Sequence, residues 1–544
     1  MNTQAPARST AEPTDETVEE FDVIVIGAGN TGLYQLHLLK KLGYSVRTYD
    51  DAAGVGGSWY WNAYPGARFD SESESYVYSF DPEIAQEWDW KEKFSAQPEN
   101  EKYFNFVADK LDLRDDIVLN TRVEAAVWDE TDSRWDVTLS NGRRNRAQFV
   151  IMAVGHLSNP YKAKFAGEDQ FEGESYHTAR WPRQPIDFTG KRVAVIGTGS
   201  SGIQVVETIG KQVGHLTVFQ RTPNYAVPLR NGLITDEEQQ RNKDNADEIF
   251  RVCRQDSGTG FVHVPDPRSG RDFTKEERLA AYEEYWQRAG FGKYLAGFSD
   301  LLTDREINAE YSEFVRNKIR ARIDDPELAE KLLPTEPMGA KRVPCETGYY
   351  EVFNQDNVEL VSVRETPIER ITSKGIETSE GEREFDVIVY ATGFDAFSGS
   401  FTNMDIRGID QQTIQDKMST GLRTLLGVQT YGFPNLFISI SFSLCNHTVC
   451  AEMISEWVTE CIEHVKRSNA SSIQPRKEAE EAWVEHVIDV AKDNVLHDAE
   501  TNWFTGSNIP GKPSSIPLVY VRGVQDFRHE LEEAAETYED FIVK

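Results

Sequence analysis

Two short glycine-rich segments contain the residues of this sequence whose types and spacing are best suited to chemistry. GAGNTG occupies positions 27–32 and GTGSSG positions 197–202, so each has the spacing GxGxxG. Glycines at this spacing allow a tight turn and a close approach of the backbone to a pyrophosphate, which the N-terminus of a following helix then binds through its free N–H groups. Two such segments on one chain predict two dinucleotide sites.

The residues that end the second strand of each unit distinguish the two nucleotides. Asp50 lies roughly 20 residues beyond the first glycine segment, where a carboxylate accepts hydrogen bonds from a ribose 2′-hydroxyl. The equivalent place in the second unit holds Gln220, Arg221 and Thr222. An arginine there suits the 2′-phosphate of NADP, which a carboxylate would repel. The alternative interpretation makes Arg221 an ordinary surface residue.

Both glycine segments lie between a strand and a helix, as this interpretation requires. The apolar run FDVIVI at 21–26 precedes the first segment, and residues with helical spacing and then YSVRTYD at 44–50 follow it. KRVAVI at 191–196 precedes the second segment, which IQVVETIGKQV and HLTVFQ follow. Short apolar runs are typical of buried parallel strands, so each segment is predicted to lie in a βαβ unit.

The remaining residues are assigned around these two units. Charged, helix-favouring residues recur with Phe, Tyr, Trp and Leu through 229–333, which favours a helical insertion over a flexible acidic linker. The late apolar run EFDVIVYATGFD at 384–395 predicts a strand that returns the chain to the first domain. An FAD unit followed by an NADPH unit is the plan of two-dinucleotide flavoproteins, although the glycines alone would also admit NAD.

The predicted fold class is therefore α/β, with two Rossmann-like dinucleotide-binding domains. Residues 21–160 and 390–544 are assigned to the FAD domain, and residues 161–389 to the NADP domain with its insertion at 229–333. Residues 1–20 are expected to be a disordered tail, since they match neither a secretory signal nor a transit peptide.

Composition narrows the possible partners. The 544 residues carry a net charge of −32, from 58 basic and 90 acidic residues. The negative electrostatic field of such a chain repels nucleic acid and anionic membranes. Mean hydropathy is −0.54, and no apolar run approaches the roughly 20 residues that span a bilayer. We expect a cytoplasmic protein, a monomer or weak homo-oligomer, that binds neither nucleic acid nor membrane. Its polyanionic cofactors would require a local cluster of basic side chains.

The cysteines and histidines suggest no metal site. Cys253, Cys345, Cys445, Cys450 and Cys461 form neither a CxxC pair nor an even set. They are interpreted as reduced thiols rather than as a disulfide framework or a zinc site. The ten histidines are scattered along the chain.

Two longer motifs give the chain its resemblance to a known family. FEGESYHTARWP at 171–182 matches FxGxxxHxxxWP, and residues 56–70 match GGxWxxxxYPGxxxD. With both glycine segments in order, the sequence from about Phe21 to its C-terminus resembles the type I Baeyer–Villiger monooxygenases, which belong to the class B flavin monooxygenases. Related enzymes that hydroxylate amines or sulfur compounds usually lack an equivalent of Trp181 and Pro182.

The resemblance implies an enzyme that uses FAD, NADPH and O2 to insert one oxygen atom next to a ketone carbonyl. The reaction would pass through a flavin C4a-peroxide and give an ester or lactone. The segments GAKRVPCETGYYEVFNQDNVEL and SLCNHTVC are most similar to the branch that accepts cyclic and bulky ketones.

The resemblance also implies roles for single residues. Arg342 corresponds to the arginine that stabilises the anionic oxygen species, Asp70 to its carboxylate partner, and His177 to a residue that organises the domain junction. Asp70 as a plain turn residue and Trp503 as a plain core aromatic are the alternative interpretations. Predicted FAD contacts are Gly27, Gly29, Asn30, Thr31, Gly32, Asp50, Gly57, Ser58, Trp59, Asp70, Tyr76, Val123 and His447. Predicted NADP contacts are Arg68, Thr198, Gly199, Ser200, Ser201, Gly202, Gln204, Arg221, Thr222, Lys341, Arg342 and Trp503.

One segment departs from the family pattern. Family members commonly carry a Gly-Pro loop before the asparagine that corresponds to Asn446, whereas this chain reads ISISFSLCN and is several residues shorter. Two alternatives to a ketone monooxygenase stay open, the first because it shares the architecture and the second because of this short loop. One is a heteroatom-hydroxylating flavin monooxygenase, and the other is an uncoupled NADPH oxidase or a non-catalytic flavoprotein whose pocket the short loop has impaired.

Overall fold

The computed structural model describes residues 18–440 and 442–544. Residues 1–17, which make up most of the predicted tail, lie outside the described residues. The first strand begins at Glu19, two positions before the predicted domain boundary.

The described strands are β1 (Glu19–Ile26), β2 (Val46–Tyr49), β3 (Ile117–Val118), β4 (Val123–Asp129), β5 (Arg134–Leu139), β6 (Arg144–Met152), β7 (Glu174–His177), β8 (Arg192–Ile196), β9 (His215–Gln220), β10 (Val227–Pro228), β11 (Cys345–Glu346), β12 (Val358–Ser362), β13 (Ile368–Ile371), β14 (Gly375–Thr378), β15 (Gly381–Glu384), β16 (Val387–Tyr390), β17 (Asp405–Arg407), β18 (Leu436–Ile438), β19 (Ile473–Pro475) and β20 (Phe541–Val543).

The described α-helices are α1 (Asn30–Lys41), α2 (Ser58–Trp61), α3 (Pro82–Glu87), α4 (Gln97–Lys110), α5 (Ser200–Ile209), α6 (Asp236–Asp244), α7 (Ala246–Arg251), α8 (Lys275–Gln287), α9 (Gly292–Leu295), α10 (Arg305–Arg320), α11 (Pro326–Leu332), α12 (Tyr349–Val352), α13 (Ile414–Lys417), α14 (His447–Arg467), α15 (Lys477–Ala491) and α16 (Val524–Thr537). Short 3₁₀ helices lie at Ser73–Ser75, Arg114–Asp116, Glu168–Gln170, Thr178–Arg180, Gly270–Asp272, Phe397–Ser400, Ile409–Gln411 and Val495–His497, and a π-helical segment at Val252–Asp256.

The larger sheet of the described residues contains the first glycine segment. Its order is β17-β4-β5-β6-β1-β2-β3, and β18 also pairs with β6. Strand β1 runs parallel to both of its neighbours, β2 and β6, and its central residues Val23–Val25 are completely buried. A strand buried on both faces favours a continuous run of Val and Ile, which explains why this strand was predictable from the sequence.

The second sheet contains the second glycine segment and has the order β12-β9-β8-β16-β7. Every neighbouring pair in it is parallel. In each sheet the glycine segment directly follows one strand, β1 in the first sheet and β8 in the second. The chain continues from that strand to its neighbour on one side, β2 or β9, and reaches the neighbour on the other side, β6 or β16, only later. That position is the topological switch point at which open α/β sheets bind their ligands.

The helices α6 to α11 lie within residues 229–333. Capping boxes begin α6 at Thr235 and α8 at Thr274, which accounts for where these helices start. Tyr282 and Tyr311 share one apolar cluster with Val193 of the second sheet, so this region packs against that sheet. None of the helices in the described residues combines the length and apolarity needed to cross a bilayer.

The expectation that every cysteine is a reduced thiol is wrong for one pair. The structure joins Cys445 and Cys450 in a disulfide, with their Cα atoms 6.3 Å apart, inside the usual range of about 4.4–6.8 Å. Asn446 caps the N-terminus of α14, and the first turn of that helix brings position 450 back beside position 445. The local sequence spacing does not reveal this turn. Cys253, Cys345 and Cys461 are free and buried.

Candidate active site

A cavity of about 1360 Å³ lies between the carboxyl ends of the two sheets. Both glycine segments line it, so the two units face one shared space. All predicted site residues except Gly32 and Gly202 lie in its wall. The residues in the wall are Gly27, Gly29, Asn30, Thr31, Asp50, Gly57, Ser58, Trp59, Arg68, Asp70, Tyr76, Val123, Thr198, Gly199, Ser200, Ser201, Gln204, Arg221, Thr222, Lys341, Arg342, His447 and Trp503.

Gly32 and Gly202, the two predicted contacts outside the wall, have a visible packing role. A Cβ on Gly32 would lie 1.9 Å from the carbonyl oxygen of Gly27, and a Cβ on Gly202 would lie 2.1 Å from that of Gly197. Neither distance is possible between non-bonded atoms. Each glycine therefore lets its helix pack directly against the preceding turn.

The first glycines of both segments require the conformational freedom of glycine. Gly27 has φ +108° and Gly197 has φ +111°, and a Cβ at either position would lie 2.4 Å from a carbonyl oxygen, that of Ala153 or Ala391. The helices α1 and α5 begin just after these turns, with Gly29 and Gly199 at their N-caps. Since a glycine cap offers no side-chain acceptor, the positive helix ends remain available to an anionic group in the cavity.

Asp50 follows β2 and turns back toward the first glycine segment. Its carboxylate accepts hydrogen bonds from the backbone N–H of Ala28 at 2.6 Å and of Ala52 at 2.8 Å. Burial raises the pKa of Asp50, and these two donors oppose the rise. The two hydrogen bonds fix the carboxylate at the end of the strand, where it borders the cavity.

A basic cluster borders the equivalent place in the second unit. Arg221 and Thr222 directly follow β9 and line the cavity. Lys341 lines the same cavity and is paired with Glu336 at 2.5 Å. Arg364, which follows the neighbouring strand β12, donates to the hydroxyl of Thr222 at 3.3 Å. Arg364 is also paired with Glu500 at 2.6 Å, so Glu336 and Glu500 offset part of the positive charge that Arg221, Lys341 and Arg364 bring to this place.

Asp70 and Arg342 meet in the cavity wall although 272 positions separate them. Arg342 donates through Nη2 to Asp70 Oδ2 at 2.8 Å and through Nη1 to the Ser200 hydroxyl at 2.6 Å. The backbone N–H of Cys345 donates to the same Asp70 oxygen at 3.2 Å. The side chain of Asp70 is completely buried, whereas that of Arg342 is 32% exposed. The carboxylate therefore lies behind the guanidinium, which faces the cavity.

The electrostatics of this pair keep the arginine charged. Burial alone would lower the pKa of Arg342, but the neighbouring Asp70 carboxylate raises it above its usual range. Burial raises the pKa of Asp70, which the Arg342 guanidinium opposes. A fixed cation in the wall of this cavity can stabilise negative charge that develops on a bound oxygen atom.

The GGxWxxxxYPGxxxD motif joins the two units. The Tyr64 hydroxyl donates to Gln204 Oε1 of α5 at 2.8 Å, and Gln204 Nε2 donates to the carbonyl oxygen of Arg68 at 3.1 Å. A Cβ on Gly66 would lie 2.6 Å from the Gln204 carbonyl oxygen, so this turn needs glycine to pack against α5. At the start of the motif, Gly57 packs against Gly29 of the first glycine segment.

His177 connects the two segments through which the chain passes between the sheets. Its Nδ1 accepts a hydrogen bond from the Ala179 N–H at 3.1 Å, so the ring proton resides on Nε2. Nε2 lies 3.3 Å from the carbonyl oxygen of Tyr161, which follows β6, and 3.2 Å from the hydroxyl of Thr392, which follows β16. Burial lowers the pKa of His177, which favours this neutral tautomer.

His447 and Trp503 lie on the side of the cavity formed by the C-terminal part of the chain. The ring of His156 packs edge-on against His447 at 5.4 Å and stacks on Trp503 at 5.9 Å. Trp503 also stacks on Phe397 at 5.7 Å. Burial lowers the pKa of His156 to about 3 and that of His447 to about 4, so both imidazoles face the cavity as neutral groups.

Among the residues that line or border this cavity and that the sequence interpretation did not select, four carry a polar or charged group of interest. His156, Arg180 and Tyr294 lie in its wall, and Arg364 borders the basic cluster. Arg180 lies inside the HTARWP segment, so its position in the motif was an available signal. The guanidinium of Arg180 stacks over Trp61 at 4.3 Å. The other three have no local sequence pattern that distinguishes them.

The residues of the cavity suit two dinucleotides, one at each glycine segment. Each segment offers a turn without side chains and an uncapped helix end, and the neighbouring strands present a carboxylate in one unit and basic groups in the other. In the described part of the chain, the buried oxygens Asn30 Oδ1 and Asp70 Oδ1 have no hydrogen-bond partner. The two glycine segments share one cavity, and a carboxylate follows the second strand of one unit while basic groups follow that of the other. This arrangement is typical of an oxidoreductase that binds two dinucleotides.

Comparisons with known proteins identify the family. The model of the flavin-binding monooxygenase-like family matches residues 21–228. The chain is 44% identical over 532 residues to the acetone monooxygenase (methyl acetate-forming) of Gordonia sp. (strain TY-5), covering 96% of this chain and 99% of that protein. It is 42% identical over 525 residues to the cyclopentanone 1,2-monooxygenase of Comamonas sp. (strain NCIMB 9872), covering 95% of each.

A solved structure extends this likeness over the whole fold. The crystal structure of OTEMO in complex with FAD and NADP superposes with a TM-score of 0.93 at 40% identity, covering 97% of this chain and 100% of that chain. The chain belongs to the Baeyer–Villiger monooxygenases, within the flavin-binding monooxygenase-like family. The family predicted from the motifs is therefore confirmed.

Proposed function

We propose that this protein is an FAD- and NADPH-dependent monooxygenase that inserts one oxygen atom of O2 next to the carbonyl of a cyclic or bulky ketone. One ketone, one O2, one NADPH and one proton would give one ester or lactone, one NADP⁺ and one water. The observation that carries this proposal is the Arg342–Asp70 pair, placed in a cavity that two dinucleotide cradles share. The relatives named for acetone and cyclopentanone support the same reaction class.

The two sheets would divide the cofactors between two domains. Residues 21–160 and 390–544, which include the larger sheet, would form the FAD domain. Residues 161–389 would form the NADP domain, with the helices of 229–333 as an insertion. The return of β17 and β18 to the larger sheet supports this division.

The first unit would hold FAD. Helix α1 and the turn at Gly27–Gly29 would bind the pyrophosphate, because their backbone approaches the cavity without side chains. Asp50 would accept hydrogen bonds from the ribose hydroxyls. Trp59, whose indole N–H donates to the Tyr76 hydroxyl at 2.9 Å, would form part of the wall around the ring system.

The second unit would hold NADPH. Helix α5 and its preceding turn at 197–199 would bind the pyrophosphate. Arg221, Thr222 and Lys341 would bind the 2′-phosphate, which requires Lys341 to turn from Glu336 toward the nucleotide. Trp503 would cover the bound nucleotide from the C-terminal side.

The residues around the substrate would stabilise charge and exclude water. Flavin, when bound and reduced by NADPH, supplies the activation of O2. Arg342 would stabilise the negative charge that develops on oxygen, since its cationic head faces the cavity. Asp70 would hold the guanidinium in place from behind and keep it protonated. The aromatic side chains of the wall would keep the site dry enough to favour oxygen transfer over release of hydrogen peroxide.

The experiment is a measurement of NADPH consumption by purified, FAD-supplemented protein with a panel of ketones that includes acetone, cyclopentanone and larger cyclic ketones. Ketone-stimulated turnover with products heavier by one oxygen, carried in from isotopically labelled O2, is the expected result. Arg342→Ala is the matched variant, and it should lower oxygenation about 100- to 1,000-fold while flavin absorbance is retained.

The same experiment separates the alternatives. Oxygenation of an added amine or sulfide with no ketone product would indicate a heteroatom-hydroxylating enzyme. Formation of hydrogen peroxide with every substrate would indicate an uncoupled oxidase. Absence of protein-bound flavin after FAD supplementation and removal of free FAD would indicate the non-catalytic alternative.

A further inference from the structure

Tyr294 places a hydroxyl group in the cavity wall beside the proposed active arginine. It belongs to the short helix α9, within the helical region of 229–333, and it lines the cavity together with Phe261, Phe291 and Leu295. The rings of Phe261 and Phe291 pack edge-on at 5.2 Å, and those of Phe291 and Tyr294 at 5.9 Å. These residues form one apolar wall that carries a single phenol.

This wall is adjacent to Arg342. The guanidinium carbon of Arg342 lies 5.7 Å from the centre of the Phe291 ring. Tyr294 also interacts electrostatically with both Arg342 and Asp70. Burial raises the pKa of Tyr294 well above its usual value, and Arg342 opposes this rise only in part. The phenol therefore remains protonated and able to donate a hydrogen bond.

The hydroxyl of Tyr294 has no hydrogen-bond partner among residues 18–440 and 442–544. The buried hydroxyls of Tyr282 and Tyr538 also lack one, but those two residues lie outside the cavity wall. Other tyrosine hydroxyls are paired. Tyr64 donates to Gln204, Tyr225 to the Glu336 carbonyl oxygen at 3.0 Å, and Tyr311 to the Lys293 carbonyl oxygen at 2.7 Å. Tyr294 is half-buried and lines the cavity, so its hydroxyl is not sealed in the protein interior. An unpaired donor at the edge of a cavity is available to a ligand.

We propose that the Tyr294 hydroxyl donates a hydrogen bond to the carbonyl oxygen of the bound ketone, alongside Arg342. This proposal rests on the proposed function and adds a substrate-contacting residue to it. The hydrogen bond strengthens as negative charge develops on the carbonyl oxygen, so it favours the transition state over the bound substrate. Tyr294 gives up no proton in this role. A ketone is selected because it presents an acceptor at this point, which a purely apolar molecule does not.

The test uses the holoenzyme with both cofactors and compares wild type with Tyr294→Phe, which removes only the hydroxyl oxygen. The value of kcat/KM for the best ketone should fall about 10- to 100-fold, mostly through kcat, while FAD content and the Kd for NADP⁺ stay within about twofold. Tyr282→Phe is the matched control. Tyr282 lies on α8 in the same helical region, and it is buried away from the cavity wall.

A second readout does not depend on turnover. The infrared carbonyl stretch of an isotope-labelled ketone bound to the oxidised, NADP⁺-loaded protein reports hydrogen bonds to the carbonyl oxygen. The stretch should move to higher frequency in Tyr294→Phe and stay unchanged in Tyr282→Phe.

An unchanged carbonyl stretch in Tyr294→Phe together with kcat/KM within threefold of wild type would overturn the proposal. A wild-type holoenzyme that oxygenates no ketone would overturn the proposed function itself and this proposal with it. That failure is recognised in wild type, before any variant is compared.

Discussion

Alanine at the third glycine of each segment should separate the two cofactor sites. In Gly32→Ala the new Cβ would begin 1.9 Å from the Gly27 carbonyl oxygen, and in Gly202→Ala it would begin 2.1 Å from that of Gly197. Because heavy atoms reach contact at about 3.5 Å, the helix must move from its turn by roughly 1.5 Å. Overpacking of this kind costs about 1–3 kcal/mol. If the whole of this free-energy cost appears as weaker binding of the nucleotide at that glycine segment, its Kd rises about 5- to 150-fold.

The assay measures both cofactors on both variants. Flavin absorbance and FAD titration report the first site, and quenching of intrinsic fluorescence by NADP⁺ at saturating FAD reports the second. Gly32→Ala should lose FAD affinity and retain NADP⁺ affinity, and Gly202→Ala should do the reverse. Gly232→Ala is the control, because its Cβ would meet nothing within 4 Å. Equal weakening of both cofactors by both variants, or the opposite pairing, would refute the assignment of the two units.

Three further outcomes follow from single side chains. Arg221→Ala should raise the Kd for NADP⁺ about 10- to 150-fold and leave that for NAD⁺ within threefold, since a phosphate contact to a charged donor is lost; parallel weakening of both would contradict this. Burial raises the pKa of Glu452 to about 7 although Ser79 donates two hydrogen bonds to its carboxylate. An unfolded glutamate titrates near pH 4.3, so the folded protein retains this proton longer and loses stability as the pH rises from about 4.5 to 7. Glu452→Gln should therefore flatten the decline of Tm over that interval, and an unchanged slope would contradict the assignment. Denatured, unreduced protein should react with three equivalents of a thiol reagent and with five after reduction, because Cys445 and Cys450 are paired. Five equivalents before reduction would show that the pair is not bridged.

The sequence predicted best what depends on neighbours along the chain. A strand, a glycine turn and a helix follow one another within each unit, so apolar runs and glycine spacing were enough to predict both units. The difference between Asp50 and Arg221 was also readable, because both residues directly follow a strand that the apolar pattern defines. Residue types at the ends of predicted strands therefore carried most of the cofactor assignment.

Contacts between distant segments were not readable from local pattern. Asp70 and Arg342 were paired only through the resemblance to a family, since nothing near either residue indicates a partner 272 positions away. Tyr294 lies in a short helix of a region whose spacing predicts helices but not which face borders the cavity. The bridge between Cys445 and Cys450 was missed because it depends on the first turn of α14.

The two units repeat one set of backbone contacts and differ in the side chains that read the nucleotide. Gly27 packs on Ala153 as Gly197 packs on Ala391, at the same 2.4 Å for an added Cβ. The proposed active pair belongs to neither unit alone, because Asp70 lies in the segment between β2 and β3, while Arg342 and Ser200 belong to the part of the chain that contains the second sheet. The hydrogen bond of Arg342 to Asp70 therefore exists only when the units are docked, whereas its hydrogen bond to Ser200 lies within the second unit. A substitution that disturbs this docking, for example at His177, should therefore move the Arg342 guanidinium while both glycine segments keep their geometry.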